Sequence, residues 1–344
     1  MNNIFDFIQK KCFIIAEAGV NHNGDINIAK KLIDKAVEAG VDAIKFQTFK
    51  ADNLVTKEAP KADYQKDTTG DGSQYEMLKG LELSLENHIL LKKYCENKGI
   101  IFISTPFDFE SVDLLEKIDV PLYKVSSGDL TNLPLLKYIS QKNKPIILST
   151  GMANLGEVEE AVEIIFKTGN KNLILLHCTS NYPAAYEDVN LRAMLTMKEA
   201  FKLPIGYSDH TMGIEVPISA VALGAKVIEK HFTLDKTMDG PDHRASLEPD
   251  ELKMMVDSIR NIERAMGDGI KRCNKNEENT KSAARKSIVA ARNIRKDDII
   301  ANNDISFKRP EGGLSLKYAD LIVGKTANRD INKDEHIRWR DIYD

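Results

Sequence analysis

His210 and His231 each stand shortly after a brief apolar stretch, Pro204 to Tyr207 and Ala225 to Ile228, with one helix-like segment between them. If those stretches are neighbouring parallel strands, both imidazoles reach one rim of a sheet, where a divalent ion could sit beside a reacting carbonyl. A lone histidine at a strand end is more often a hydrogen-bonded structural residue. Two on adjacent strand ends, with Asp209 and Glu229 close by, favour a ligand pair. Two neutral imidazoles with water or substrate oxygens suit Mn²⁺, Mg²⁺ or Zn²⁺, and residue types alone do not choose among them.

Other strand ends carry a dense polar set: Glu17, Asn21 and His22, then Lys45 and Gln47, Ser104 and Thr105, Lys124, Ser127 and Asp129, and Ser149 and Thr150. His177, Ser180, Tyr182, Ser208 and Lys230 continue it. Lys45 and Lys124 could bind a phosphate or carboxylate, with Ser127, Ser149 and Ser208 as directional donors. The plainer alternative is a buried lysine paired with Glu17 or Glu229. Asp242 lies in the turn DGPDHRA, residues 239–245, where it could accept sugar hydroxyls or simply shape the loop. Because neighbouring strand residues face opposite ways, Cys178 beside His177 reads as packed core.

The elements that must position these groups alternate. Strand-like runs occur at Phe13 to Ala16, Ala43 to Phe46, Ile101 to Ile103, Leu122 to Val125, Ile146 to Leu148, Leu173 to Leu176, Ile205 to Tyr207 and Lys226 to Ile228. Helical patterns separate them, from Ile26 to Ala39 through to a last one at Glu248 to Met266, and Gly40, Gly99, Gly169 and Gly224 sit where left-handed caps are expected. Eight alternations predict an α/β fold of the (β/α)8 TIM barrel type, and the absence of a Gly-x-Gly-x-x-Gly run weakens a dinucleotide reading. Residues 1–268 are expected to form this barrel. A polar insertion after the second strand, Lys50 to Ser84, is longer than an ordinary βα connection and reads as a lid or substrate loop.

Past Gly267 the composition changes. Residues 269–286 read as an exposed linker, and residues 287–344 as a small β-rich domain. That domain contains an internal repeat in which Ile294, Lys296, Asp297 and Asp304 align with Ile331, Lys333, Asp334 and Asp341, predicting two similar units packed together. Arg309, in the basic turn Lys308 to Pro310, could reach into a neighbouring active site, and the linker leaves room for docking on a second copy.

With 48 Lys and Arg against 52 Asp and Glu, the formal charge of -4 offers nothing global for nucleic acid or an anionic membrane. Four scattered cysteines argue against a disulfide framework and suit a reduced, cytoplasmic setting. Met1 to Lys11 reads as too short and unbiased for a signal peptide, and no apolar run approaches a membrane span.

The local strings EAGVNHNG (17–24), KFQTF (45–49), STPF (104–107), STGM (149–152), SDH (208–210) and EKHF (229–232) resemble the sialic acid synthase family, in order and over nearly the whole chain. The C-terminal part resembles the SAF, or antifreeze-like, domain of those enzymes. The resemblance implies condensation of phosphoenolpyruvate with the open-chain aldehyde of an N-acetylated hexosamine, giving a nine-carbon 2-keto sugar acid and phosphate. It implies a divalent cofactor, Mn²⁺ first with Mg²⁺ or Co²⁺ as substitutes, on His210 and His231. It places Thr105, Lys124, Ser127, Ser149 and Ser208 around phosphoenolpyruvate, and Gln47, Tyr182 and Asp242 around the amino sugar. It also implies a domain-swapped homodimer whose SAF domain docks on the partner barrel, with Arg309 reaching the partner's sugar. Glu17 is the candidate for orienting water or exchanging a proton, and Lys45 and Lys124 for offsetting anionic charge.

Two departures bear on the sugar. Asp129 stands where many relatives have Glu, and Ser180 where some have Asn, so both are candidate sugar contacts. KFQTF occurs in synthases of N,N'-diacetyllegionaminate, whose acceptor is a 2,4-diacetamido-2,4,6-trideoxy sugar, and also in N-acetylmannosamine-using relatives. Two other functions compete: a pyruvate-dependent Schiff-base aldolase using Lys45 or Lys124, and a non-catalytic sugar-binding or assembly protein.

Overall fold

On the first eight strands, residues of one parity share an interior layer that is mostly apolar at the strand starts and mostly polar at their ends. The computed structural model describes residues 4–344; Met1, Asn2 and Asn3, part of the stretch read as too short for a leader, lie outside the described residues. The strands are β1 (Phe13–Gly19), β2 (Ala43–Thr48), β3 (Ile101–Pro106), β4 (Tyr123–Val125), β5 (Ile146–Ser149), β6 (Leu173–Cys178), β7 (Ile205–Asp209) and β8 (Val227–His231). They form one parallel sheet in the order β3-β2-β1-β8-β7-β6-β5-β4. β3 and β4 lie side by side at the seam without a ladder, so the barrel is nearly closed. The expected (β/α)8 architecture is what the chain adopts.

Two apolar layers hold it. Phe13, Ile15, Ala43, Ile103, Leu122, Ile147, Ile174, Leu176 and Val227 fill the inside. Residues of opposite parity, among them Ile14, Ile44, Tyr123, Leu148, Leu175 and Tyr207, pack under the surrounding helices. A helix not foreseen from the sequence, Ile4–Lys10, buries Ile4 and Ile8 against the inner layer. Its apolar spacing of four residues over less than two turns is too short a signal to separate from a loop.

Helix ends follow the expected chemistry. Asp25 caps Ile26–Ala39 at its start, and Gly40 at +82° closes it. Gly99, Gly169 and Gly224 also take positive φ angles before their strands. The insertion is not a loop but three short helices, Ala51–Leu54, Asp63–Thr69 and Gln74–Lys79.

The chain separates into two compact units, residues 1–267 and 268–344. The stretch expected as a linker falls in the second unit and carries the exposed helix Glu278–Ala284, with Ser282 accepting a hydrogen bond from the Glu311 amide. The predicted repeat is visible as a pairing. Ile294 and Ile331 exchange both backbone hydrogen bonds, Arg292 pairs with Asp304 as Arg329 does with Asp341, and Asp297 and Asp334 share φ near +70°. Antiparallel strand pairs Ser287–Ala290 with Ile305–Lys308, and Thr326–Ala327 with Ile342–Tyr343, complete the unit. Arg309 follows directly after Lys308, exposed, with a cis bond to Pro310.

Candidate active site

The inward parity of the strands decides which side chains meet. Glu17, Lys45, Gln47, Thr105, Lys124, Ser149, Ser208, His210, Glu229 and His231 share it, and all border one cavity of about 500 Å³ at the C-terminal ends of the strands. Ser127, Ser180, Tyr182 and Asp242 join from the following loops.

Its floor is a quartet of buried charges. Lys45 Nζ lies 2.6 Å from Glu17 Oε2 and 3.8 Å from Glu229 Oε2, and donates to Thr105 Oγ1 at 3.1 Å. Lys124 Nζ lies 3.3 Å from Glu229 Oε1 and donates to Ser149 Oγ at 2.8 Å. Ser208 donates to Glu229 at 2.9 Å, and Gln47 to Glu17 at 3.3 Å. The two readings of the lysines therefore coincide: each is paired with a glutamate and each faces the cavity. Two lysines against two glutamates give local neutrality, which lets four charged groups stay buried.

Burial pushes Glu17 up to about 7, against the pull of Lys45 and with the help of Glu229. Burial also lowers Lys124. At Lys45 burial acts the same way but the two glutamates outweigh it, and its pKa is raised. A carboxyl poised near neutrality, in contact with an ammonium, can pass a proton at physiological pH.

The histidine rings stand 5.3 Å apart, centroid to centroid, with Tyr182 over both at 4.1 Å from His210 and 5.7 Å from His231. His210 Nδ1 bonds the Thr179 carbonyl at 2.8 Å, which leaves Nε2 for another partner. His231 Nδ1 is buried without a hydrogen bond, 3.7 Å from Asp242 Oδ2. Burial, with His210 next to it, drives the His231 pKa well down, and burial lifts Asp242 to about 6. Two ring nitrogens with free lone pairs fit a divalent ion as donors, but no group of three or more His, Cys, Asp or Glu able to hold one occurs among the described residues. Water or substrate oxygens would have to supply the remaining ligands.

Asp209 and Lys230, the odd-parity neighbours of this pair, face the opposite side of the sheet and meet at 2.5 Å, fully buried. Asp209 is thus a brace for β7 and β8 rather than a group beside the histidines.

Of the polar groups predicted along the rim, Asn21, His22, Ser104, Asp129 and Thr150 do not line the cavity. Asp129 is held by Ser126 Oγ at 2.8 Å and Asn132 Nδ2 at 3.2 Å, and does not line the cavity wall. Arg309 belongs to the second unit. Cys178 is buried but is not inert packing: it has the parity of Leu176, borders the cavity, and its Sγ lies 3.7 Å from His210 Nδ1. His177 is the residue that faces outward, bonding the Val189 carbonyl at 2.7 Å. Gly151 explains itself here, since a Cβ would stand 2.2 Å from Ser180 Oγ and 2.9 Å from Ser127 Oγ.

The insertion supplies what the strand pattern did not reveal. Tyr64 stacks on Tyr182 at 5.1 Å, and Gln65, Gln74, Met77, Leu78 and Leu81 form a wall opposite the strand ends. The length of the insertion was the available signal; which residues turn inward was not legible without a partner surface.

A barrel mouth that gathers paired lysines and hydroxyls below a histidine pair defines a (β/α)8 enzyme handling an anionic substrate and a second, polar one. Residues 32–271 match the model of the NeuB family and residues 285–342 that of the SAF domain. N,N'-diacetyllegionaminic acid synthase of Campylobacter jejuni is 54% identical over 333 residues, covering 96% of this chain and 100% of that protein. The Legionella pneumophila protein of the same name is 48% identical over 336 residues, covering 96% and 94%. Among solved structures, N-acetylneuraminic acid synthetase from Leptospira borgpetersenii, in complex with citrate, superposes with a TM-score of 0.70 at 38% identity, over 78% of this chain and 90% of that one.

The chain belongs to the NeuB family and carries a C-terminal SAF domain. It is an enzyme of carbon–carbon bond formation, the phosphoenolpyruvate-dependent condensation with an N-acetylated amino sugar that yields a nine-carbon keto sugar acid. Among the described residues, no helix is long and apolar enough to cross a membrane.

Proposed function

We propose that this chain makes an N,N'-diacetyllegionaminate-type acid, its acceptor being a 2,4-diacetamido-2,4,6-trideoxy sugar. The names of the Campylobacter and Legionella relatives support this choice of sugar. One observation carries the assignment of roles: apart from Asp129, every barrel residue named for catalysis, metal or substrate binding borders a single cavity.

In this reading Lys45, Lys124, Thr105, Ser127, Ser149 and Ser208 hold phosphoenolpyruvate by its phosphate and carboxylate. Gln47, Ser180, Tyr182 and Asp242 hold the sugar, with its aldehyde toward His210 and His231. A divalent ion on that pair, Mn²⁺ first, would supply Lewis-acid polarisation of the aldehyde. Carbon three of the enol attacks the aldehyde carbon, water adds at carbon two, and the tetrahedral species loses phosphate. Glu17 takes one proton from that water and, its pKa near 7, passes it through Lys45 to the former aldehyde oxygen, while the second water proton leaves with the phosphate as carbon two becomes the ketone. The lysines offset the charge of the departing phosphate.

Asp129 reaches the sugar through water. Arg309 approaches the sugar of a partner subunit in a homodimer whose SAF domain docks on the partner barrel, and the setting is the cytoplasm, where phosphoenolpyruvate is made. The deciding assay is phosphate release from phosphoenolpyruvate and Mn²⁺ with either the diacetamido trideoxy sugar or N-acetylmannosamine. Release requiring the first sugar supports the reading. Release with N-acetylmannosamine alone overturns the choice of acceptor, and borohydride trapping of a lysine with pyruvate would favour the aldolase instead.

A further inference from the structure

The wall contributed by the insertion has a composition that the floor lacks. Met77 and Leu78, on helix Gln74–Lys79, and Leu81 just beyond it are half-buried, border the cavity, and belong to neither apolar layer of the barrel. An apolar helix face that packs on no core needs another apolar partner. Here the space in front of it is the substrate cavity.

The wall's two nearby amides bond one another within the insertion. Gln65 Oε1 accepts from the Ala62 amide at 3.0 Å and from Gln74 Nε2 at 3.2 Å, while Gln65 Nε2 donates to Tyr64 at 3.3 Å. The wall is also anchored. Lys61 donates to the carbonyls of Thr69, Gly70 and Asp71, Asp52 accepts from Tyr75 at 2.8 Å and Lys79 at 2.9 Å, and Gly24 admits the Gly80 carbonyl so closely that a Cβ would stand 2.7 Å from it. It is a preformed surface and not a loose flap.

We propose that Met77, Leu78 and Leu81 are specificity-determining residues that receive the deoxy, methyl end of the acceptor sugar. This rests on the reading above that the acceptor is a 6-deoxy sugar. With the aldehyde at the histidine pair, the sugar chain runs outward from the strand ends and its last carbon is the part that meets the insertion. Tyr182 over the rings and Tyr64 stacked on Tyr182 continue the cavity from the histidines to the insertion. A methyl group against Met77, Leu78 and Leu81 gains apolar contact, whereas a hydroxyl in its place loses water and finds no hydrogen-bond partner on those three side chains.

The test uses the full-length enzyme and two acceptors that differ only at the last carbon, the 2,4-diacetamido trideoxy sugar and its 6-hydroxy counterpart. The expected wild-type preference for the methyl form is about 10- to 100-fold in kcat/KM, the range open to apolar pockets. Leu78→Asn and Met77→Gln should each draw that ratio toward one. Equal use of the two sugars by the wild type, which needs no variant to fold, overturns the proposal; so does a ratio that both variants leave untouched. A second pair, N-acetylmannosamine and its 6-deoxy analogue, separates the two claims. Turnover on that pair with none on the diacetamido sugars sinks the acceptor assignment, while the methyl preference within the pair still judges the wall. No phosphate release with any of the four sugars overturns both.

Discussion

The floor and the wall of this cavity are built by opposite means. On the floor, Lys45, Lys124, Glu17 and Glu229 are all but sealed from water and fixed by strand register, with Glu17 opposite Lys45 and Ser208 opposite Glu229. The wall hangs on the bonds of Lys61 to backbone carbonyls, on exposed pairs such as Lys79 with Asp52, and on half-buried apolar side chains. Exposed pairs are weak because water screens them, so the wall can change sequence at little cost, while any floor charge removed strands its partner in a dry interior. Chemistry placed on the first and selection on the second lets acceptor choice change without disturbing the reaction.

Removing the floor's proton-handling group should break the comparison most severely. Glu17→Gln is expected to lower kcat by about 10²- to 10⁴-fold with little change in KM for phosphoenolpyruvate. A fall of the wild-type kcat as pH drops through about 7 should vanish in the variant. Unchanged turnover would remove Glu17 from catalysis.

Acid should attack the barrel before the wall. Burial lowers His22 to about 4 and also depresses His88 and His243. A folded-state pKa below the unfolded value means that the unfolded chain takes the proton first, so this stability is present above about 6.5 and is lost as pH falls toward 4. His22 alone contributes on the order of 3 kcal/mol. A thermal melt should show Tm dropping across that window, and a flat Tm contradicts the assignment.

His231→Ala should weaken Mn²⁺ binding by about 10- to 100-fold in a calorimetric titration, a scale typical of lost metal-site groups. An unchanged isotherm would sink the pair. The smallest effect is expected at the seat of the wall. Gly24→Ala, strained at φ +76° and pressed on the Gly80 carbonyl, should speed hydrogen exchange over residues 51–81 and raise KM for the sugar by a few fold, leaving kcat nearly intact. Exchange unchanged in those residues would show that the wall is held without that contact.

The barrel was legible because short apolar runs alternate with helical patterns eight times, with Gly40, Gly99, Gly169 and Gly224 marking four of the helix ends, and the floor because Glu17, Lys45, Ser208 and His231 lie at strand ends of one parity. Cys178 and His177 show where that failed. The run LILLHC is apolar on both faces, so parity is undetermined until Leu176 is seen in the inner layer. Asp129 stays off the cavity wall for another reason: Ser126 and Asn132, its neighbours in sequence, hold its carboxylate. In the insertion, Met77 and Leu78 carry no periodic signal over six residues, and the close approach of the Gly80 carbonyl to Gly24 is a tertiary contact the sequence does not display.

The separation of chemistry from selection is tested most directly in the Glu17→Gln enzyme, by the ratio of residual kcat/KM for the two acceptors that differ only at the last carbon. The ratio should equal that of the wild type although both rates have collapsed. A ratio near one in the variant, with a preference in the wild type, would show that the floor selects the sugar and would contradict the account.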